Sequence, residues 1–280
     1  MNKYKSTNVS GSGGIIGSTG FIIGLLSFIS FRTFYLETNL FLPEILAALC
    51  TIILLSGIGL IDDLLGWRKG GLSKRSRLIL IFISAIPLMA INAGKSIMSV
   101  PLIGPIDFGI FYPLVLIPIG IVGASTTFNF LAGFNGLEAG QGILLLFSLG
   151  IVSLFTGSYW LMAFSLCMIA SLIAFLLYNF YPAKIFPGDS LTYSVGGLIA
   201  VISILGNFEK IALFFFIPYI LETCLKLRGR LEKHSFGKPT PDNCLELNYD
   251  KIYSLNHLSI FLLSKNNIKV TEKKVVFSIW

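Results

Sequence analysis

The chain has 280 residues, 54% of them apolar and only 12% charged, with a formal net charge of +7 and a mean hydropathy of +0.81. Soluble domains carry about 25% charged residues, so this composition excludes a soluble enzyme, a disordered chain and a disulfide scaffold. It reads as an all-α, polytopic integral membrane bundle, with the basic excess assigned to loops on one side of a membrane and not to nucleic acid. Cys50, Cys167, Cys224 and Cys244 form no CxxC pair, and His234 and His257 are the only histidines. A His- or Cys-based metal centre is therefore not expected.

In chain order, the start MNKYKSTNVSGSGG is polar and Gly/Ser-rich and holds no apolar core of a signal peptide. Eight apolar segments follow, at about 14–31, 43–61, 78–94, 110–125, 142–157, 160–179, 190–206 and 211–225. Several fall short of the ~20 residues that span a bilayer core. All eight are nevertheless taken as membrane helices within one domain, 1–280, because internal Gly and Pro are tolerated there. With eight spans, the loops at 1–13, 62–77, 126–141, 180–189 and 226–280 fall on one side and hold 18 of the 21 Lys and Arg. That bias puts these loops, and both chain ends, in the cytoplasm. The same side receives every polar cluster that looks able to do chemistry.

Asp62 and Asp63 end the second segment in GIGLIDDLLGWRKGG. Two carboxylates at a helix C-terminus oppose the helix dipole. They read either as solvated acids neutralised by Arg68 or Lys69, or as a pair held for metal, base or cation work. Lys74, Arg75 and Arg77 follow as membrane-surface anchors or as phosphate-neutralising cations. In TTFNFLAGFNGLEAGQG, Asn135 and Glu138 have capping-box spacing. That spacing leaves Asn129 and four glycines unexplained, and an amide oxygen there suits a hard cation. Asp189, in KIFPGDSLTYSVGG, is placed to cap the seventh segment or to bind Mg²⁺. The one large loop, 226–270, gathers Lys226, Arg228, Arg230, Lys233, His234 and Lys238, a set that would serve anionic lipid or a phosphate-rich substrate equally.

Together, VSGSGGI, GLIDDLLG, NFLAGFNGLEAGQG and NFYPAKIFPGDS, in that order, resemble the polyprenyl-phosphate N-acetylhexosamine-1-phosphate transferase superfamily. Ala132 and Asn135 stand where bacterial members tend to have Asp, which resembles the archaeal and eukaryotic arm that uses UDP-GlcNAc and dolichyl phosphate. The resemblance covers residues 1–240 and implies a ten-helix fold, in which this chain would lack the first helix and carry only the first turns of the last, VVFSIW. It implies Mg²⁺, with Mn²⁺ as a substitute, held by Asn129 and Asp189. Asp62 and Asp63 would face the lipid phosphate and the metal, Lys74 would contact phosphate, Asn135 and Glu138 would line the nucleotide site, and Arg230, His234 and Lys238 would reach the sugar.

The implied reaction is attack of a polyprenyl or dolichyl phosphate on the β-phosphorus of UDP-GlcNAc or a related UDP-amino sugar, giving GlcNAc-diphospholipid and UMP. A homodimer would be in keeping with such enzymes but has no signature in the sequence. The alternatives are a transporter, against which stand the absence of internal repeats and the acids at one face, and an inactive scaffold. The DGxxAR pattern of CDP-alcohol phosphotransferases is absent.

Overall fold

The computed structural model describes residues 9–100 and 104–280, apart from the side chains of residues 67–69 and 100. The expected neutralisation by Arg68 or Lys69 thus lies outside the described residues. Among the described residues the chain forms helices α1 (Gly14–Phe34), α2 (Leu42–Lys69), α3 (Lys74–Ile83) and α4 (Ile86–Ala90), then a hairpin of β1 (Ile97–Val100) and β2 (Gly104–Asp107). A π-helical turn, Tyr112–Leu116, runs into α5 (Ile117–Phe130), followed by α6 (Leu137–Phe155), α7 (Tyr159–Asn179), α8 (Gly188–Gly206), α9 (Glu209–Phe215) and α10 (Ile217–Arg228). The large loop carries β3 (Lys238–Pro239) paired with β4 (Leu245–Glu246), and α11 (Leu255–Lys265) and α12 (Glu272–Ile279) close the chain.

The polytopic helical bundle stands, but the expected count of eight continuous spans does not. Among the described residues six helices are long and apolar enough to cross a membrane: Gly14–Phe34, Leu42–Gly66, Tyr112–Phe130, Leu137–Phe155, Tyr159–Asn179 and Gly188–Gly206. The third expected span is broken into α3 and α4, and the eighth into α9 and α10. Both breaks have the same cause. Pro87 and Pro218 sit in the first turn of α4 and α10, where a missing N–H costs nothing. Continued upstream, either helix would set the pyrrolidine ring against the carbonyl four residues earlier.

Helix α8 is the axis of the bundle: every residue from Ser190 to Ile204 is buried. It packs against α1, α2, α5 and α6, while α6 and α7 form an antiparallel pair. The close α2–α8 crossing depends on Gly59, because a Cβ there would lie 2.5 Å from the carbonyl carbon and oxygen of Asp189. The outer helix faces remain apolar, with Ile23, Phe31, Ile53, Phe147 and Leu177 all exposed. So broad an apolar surface is unfavourable in water and matches lipid tails. A second, smaller apolar cluster joins Phe134 and Leu137 to Ile260, Val270, Val275 and Val276. It fastens α11 and α12 to the Gly-rich segment between α5 and α6.

The segment before α1 lies beside the turn that precedes α8. Ser10 bridges Ile185 in parallel, Phe186 N–H donates to the Ser10 carbonyl at 2.8 Å, and Gly13 N–H donates to Phe186 at 3.0 Å. Segments distant in sequence, around residues 11, 62, 130 and 189, therefore meet at one end of the bundle.

Candidate active site

Successive residues on a helix point about 100° apart, so Asp62 and Asp63 near the end of α2 face different partners. Asp62 is 3% exposed. Its Oδ1 accepts the Leu72 N–H at 2.8 Å, and its Oδ2 is ion-paired with Arg77 Nε at 2.6 Å. Asp63 turns to the start of α8, where Oδ1 accepts the Asp189 N–H at 2.8 Å and Oδ2 accepts the Ser190 N–H at 3.3 Å.

Asp189, in the first turn of α8, joins these groups. Its Oδ1 accepts from the Asn129 amide at 3.0 Å, and its Oδ2 lies 3.9 Å from Arg77 Nη2. The Tyr193 hydroxyl, one turn along α8, lies 3.1 Å from Asp189 Oδ2 and 3.3 Å from Asp62 Oδ2. Its single proton serves one of them at a time. Asp62, Asp63, Asn129 and Asp189 are thus brought together, and two of the carboxylates, Asp62 and Asp189, face one guanidinium.

A cleft of about 290 Å³ opens next to Asp189 and Asn129, lined further by Gly11, Glu138, Pro187 and Phe236. Glu138 Oε1 accepts the Gly133 N–H at 2.8 Å. Its Oε2 is buried without a partner, as is Asn135 Nδ2. The capping role read from the spacing of these two is not what forms: the cap of α6 is Gly136, with no side-chain capping bond. Glu138 instead holds the glycine loop, and the Asn135 backbone N–H donates to Glu272 at 2.7 Å.

The remaining expected residues sit farther out. Lys74 opens α3 and is exposed, as are Arg230, His234 and Lys238. Of the last three, His234 is tied to the cleft through its ring, stacked 6.3 Å from Phe236. The carbonyl of Phe236 is held by the buried His257 through Nε2 at 3.3 Å. Burial, and the nearby Lys226 charge, keep the His257 pKa below its ordinary value against the opposing pull of that carbonyl.

Of two further site residues, Arg77 was read in the sequence only as one of three candidate cations, and Tyr193 was missed. Arg77, three residues beyond Lys74 and hence on the same helix face, is the cation that touches the acids. A tyrosine four residues after Asp189, in register on α8, was the available signal for Tyr193. Among the described residues no group of three or more His, Cys, Asp or Glu side chains is arranged to enclose a metal ion.

Membrane-length helices with a carboxylate, guanidinium and amide cluster at one end define a multi-pass membrane protein with a polar site at one end of its bundle. Residues 45–207 match the profile of glycosyl transferase family 4, and the chain belongs to that family. It is 36% identical over 284 residues to a Saccharolobus solfataricus protein with the provisional name UDP-N-acetylglucosamine–dolichyl-phosphate N-acetylglucosaminephosphotransferase, covering 100% of this chain and 82% of that one. A Sulfolobus acidocaldarius protein of the same provisional name is 31% identical over 282 residues, with 100% and 82% covered. The UDP-N-acetylglucosamine–dolichyl-phosphate N-acetylglucosaminephosphotransferase of Dictyostelium discoideum is 32% identical over 252 residues, covering 78% of this chain and 60% of that enzyme.

Proposed function

We propose that this chain transfers GlcNAc-1-phosphate from UDP-GlcNAc to a dolichyl-type polyprenyl phosphate on the cytoplasmic face of the membrane. The observation that carries the proposal is the meeting of Asp62, Arg77, Asn129 and Asp189 at one end of the bundle, in a chain 36% identical along its whole length to a relative named for this reaction. In the reaction, an oxygen of the lipid phosphate bonds to the β-phosphorus of the nucleotide sugar. The bond from that phosphorus to the bridging oxygen breaks, and UMP leaves with the electron pair.

The nucleophile is already anionic near neutral pH, so the chain's task is to bring two anions together and not to remove a proton. Arg77, anchored by Asp62 yet 31% exposed along its side chain, offers its remaining N–H donors to an incoming phosphate. The unpartnered Glu138 Oε2, on a residue that lines the cleft, gives the wall a polar group for the nucleoside or amino sugar. The isoprenoid tail stays among the helices while its phosphate reaches the acids.

The donor set suits Mg²⁺, which takes few protein carboxylates and keeps waters and substrate phosphate oxygens in its shell. Asp189 would hold it, joined by Asn129 with its amide turned to present oxygen. Bound there, Mg²⁺ would neutralise the diphosphate and the charge that develops on UMP. The contact of Asn129 with Asp189, both on the wall of the cleft, supports this reading.

The test is transfer in membranes supplied with lipid phosphate, Mg²⁺ and a panel of UDP-sugars, with the lipid product identified by mass. Wild type is expected to give GlcNAc-diphospholipid and UMP. Asp189→Ala is expected to insert normally and lose transfer, and full Mg²⁺-dependent UMP release by that variant would refute the assignment.

A further inference from the structure

The two carboxylates of the Asp62–Asp63 pair do different work. Asp63 spends both oxygens on backbone: Oδ1 on the Asp189 N–H at 2.8 Å and Oδ2 on the Ser190 N–H at 3.3 Å. These are first-turn donors of α8 with no partner inside the helix. Helix α8 supplies no side-chain cap of its own, because its N-cap residue is Pro187. A residue 126 positions away in the sequence fills that role, and its negative charge meets the positive end of the helix dipole.

The seat around this contact is closely built. Gly59 and Asp63 lie four residues apart on α2 and so share a face. At Gly59 the α8 backbone comes so near that a Cβ would sit 2.5 Å from the Asp189 carbonyl. Gly188 holds φ +64°, and a Cβ there would lie 2.3 Å from Asp63 Oδ2 and 2.6 Å from the Gly11 carbonyl. Backbone from α2, from the segment before α1 and from the turn before α8 thus closes on the amides of 189 and 190. Asp62, one residue earlier, touches no α8 backbone and meets Arg77 and Tyr193 instead.

We propose that Asp63 is a positioning residue that acts through Asp189: a long-range helix cap that fixes the first turn of α8, and with it the direction of the Asp189 carboxylate. The assignment rests on the role given to Asp189 above, and it divides the pair into Asp62, which holds the guanidinium, and Asp63, which holds the helix. Asp63 then contacts neither the lipid phosphate nor the nucleotide.

Hydrogen–deuterium exchange on the detergent-purified full chain, without metal or nucleotide, reads the clamp directly. In peptides covering 183–195, Asp63→Ala is expected to speed exchange of the first α8 amides about tenfold, the loss of one cap. Asp63→Asn keeps one acceptor oxygen and is expected to speed it less, and Asp62→Asn to leave it unchanged. Gly188→Ala pushes the same carboxylate off its seat from the other side and is expected to reproduce the acceleration, which guards against an Asp63 variant that fails to fold. In transfer assays, Asp63→Asn is expected to raise the KM for UDP-GlcNAc and leave the KM for lipid phosphate unchanged. Unaltered exchange in Asp63→Asn together with a raised KM for lipid phosphate would overturn the proposal and make Asp63 a substrate contact. If wild type transfers nothing, the proposed function falls, while the exchange result still decides the clamp.

Discussion

At the scale of single residues, the charge balance around Asp62 governs what the site tolerates. A carboxylate 3% exposed keeps its charge only while it is paired, and Arg77 is the ion-pair partner that supplies the compensation. Arg77→Ala removes it and also removes the donors meant for phosphate. We expect a transfer loss of about 100-fold or more, the usual scale for deleting one positioned donor from a charged transition state. Arg77→Lys should recover part of it, because an ammonium restores the charge but not the two-pronged geometry. Lys74→Ala, at the exposed start of α3, should cost far less. Equal losses in Arg77→Ala and Lys74→Ala, measured as initial rates at saturating substrates, would contradict this ranking. The sequence shows why Lys74 and Arg77 are easily exchanged: both are cations on one face of α3. Only the turn at 70–73, which returns the Leu72 N–H to Asp62, decides which of them reaches the acids.

At the scale of elements, long uniform segments were legible and interrupted ones were not. The six continuous spans follow from apolar length alone. Pro87 and Pro218 were visible in the sequence, but whether a proline kinks a span or divides it depends on what packs around the break. The loop 229–254 was least legible, since its fold depends on buried polar contacts with α10 and α11. Glu222 on α10 accepts from the Ser254 hydroxyl at 2.8 Å and from the Leu255 N–H at 2.6 Å. On α11, His257 holds the carbonyl of Phe236, which lines the cleft. This anchor is expected to make the loop pH-sensitive. Burial depresses the His257 pKa in the folded protein, so the unfolded chain binds more protons as pH drops through about 6.5. The stability contributed by neutral His257 is complete above that pH and is lost as pH falls below it. Limited proteolysis of the 229–254 loop should therefore accelerate as pH falls below about 6.5. His257→Gln, which keeps a donor for the Phe236 carbonyl and cannot titrate, should flatten that dependence. An unchanged pH profile in the variant would assign the effect to other groups.

At the scale of the whole molecule, sidedness decides whether the site can meet a cytoplasmic nucleotide sugar. The topology predicted from eight spans requires each of the two broken segments to carry the chain across once as a pair of shorter helices. The turn at 70–73 lies at the Asp62 end of the bundle, and so do the Gly-rich segment and the start of α8. The β1–β2 hairpin comes after α4 and packs against α9. From the bias of 18 of 21 basic residues, the site end is expected to face the cytoplasm and the hairpin to face away. Asp242 on the large loop and Ser99 on β1 are both exposed and make suitable reporters. With Cys50, Cys167, Cys224 and Cys244 replaced by alanine, Asp242→Cys should react with a membrane-impermeant maleimide only after the cells are permeabilised. Ser99→Cys should react in intact cells. The four native thiols are removed so that each signal has one source, and activity in the cysteine-free chain confirms that it still folds. The reverse labelling pattern would put the carboxylates on the wrong side of the bilayer for a cytoplasmic UDP-sugar. It would leave the geometry of the cluster intact while removing its substrate.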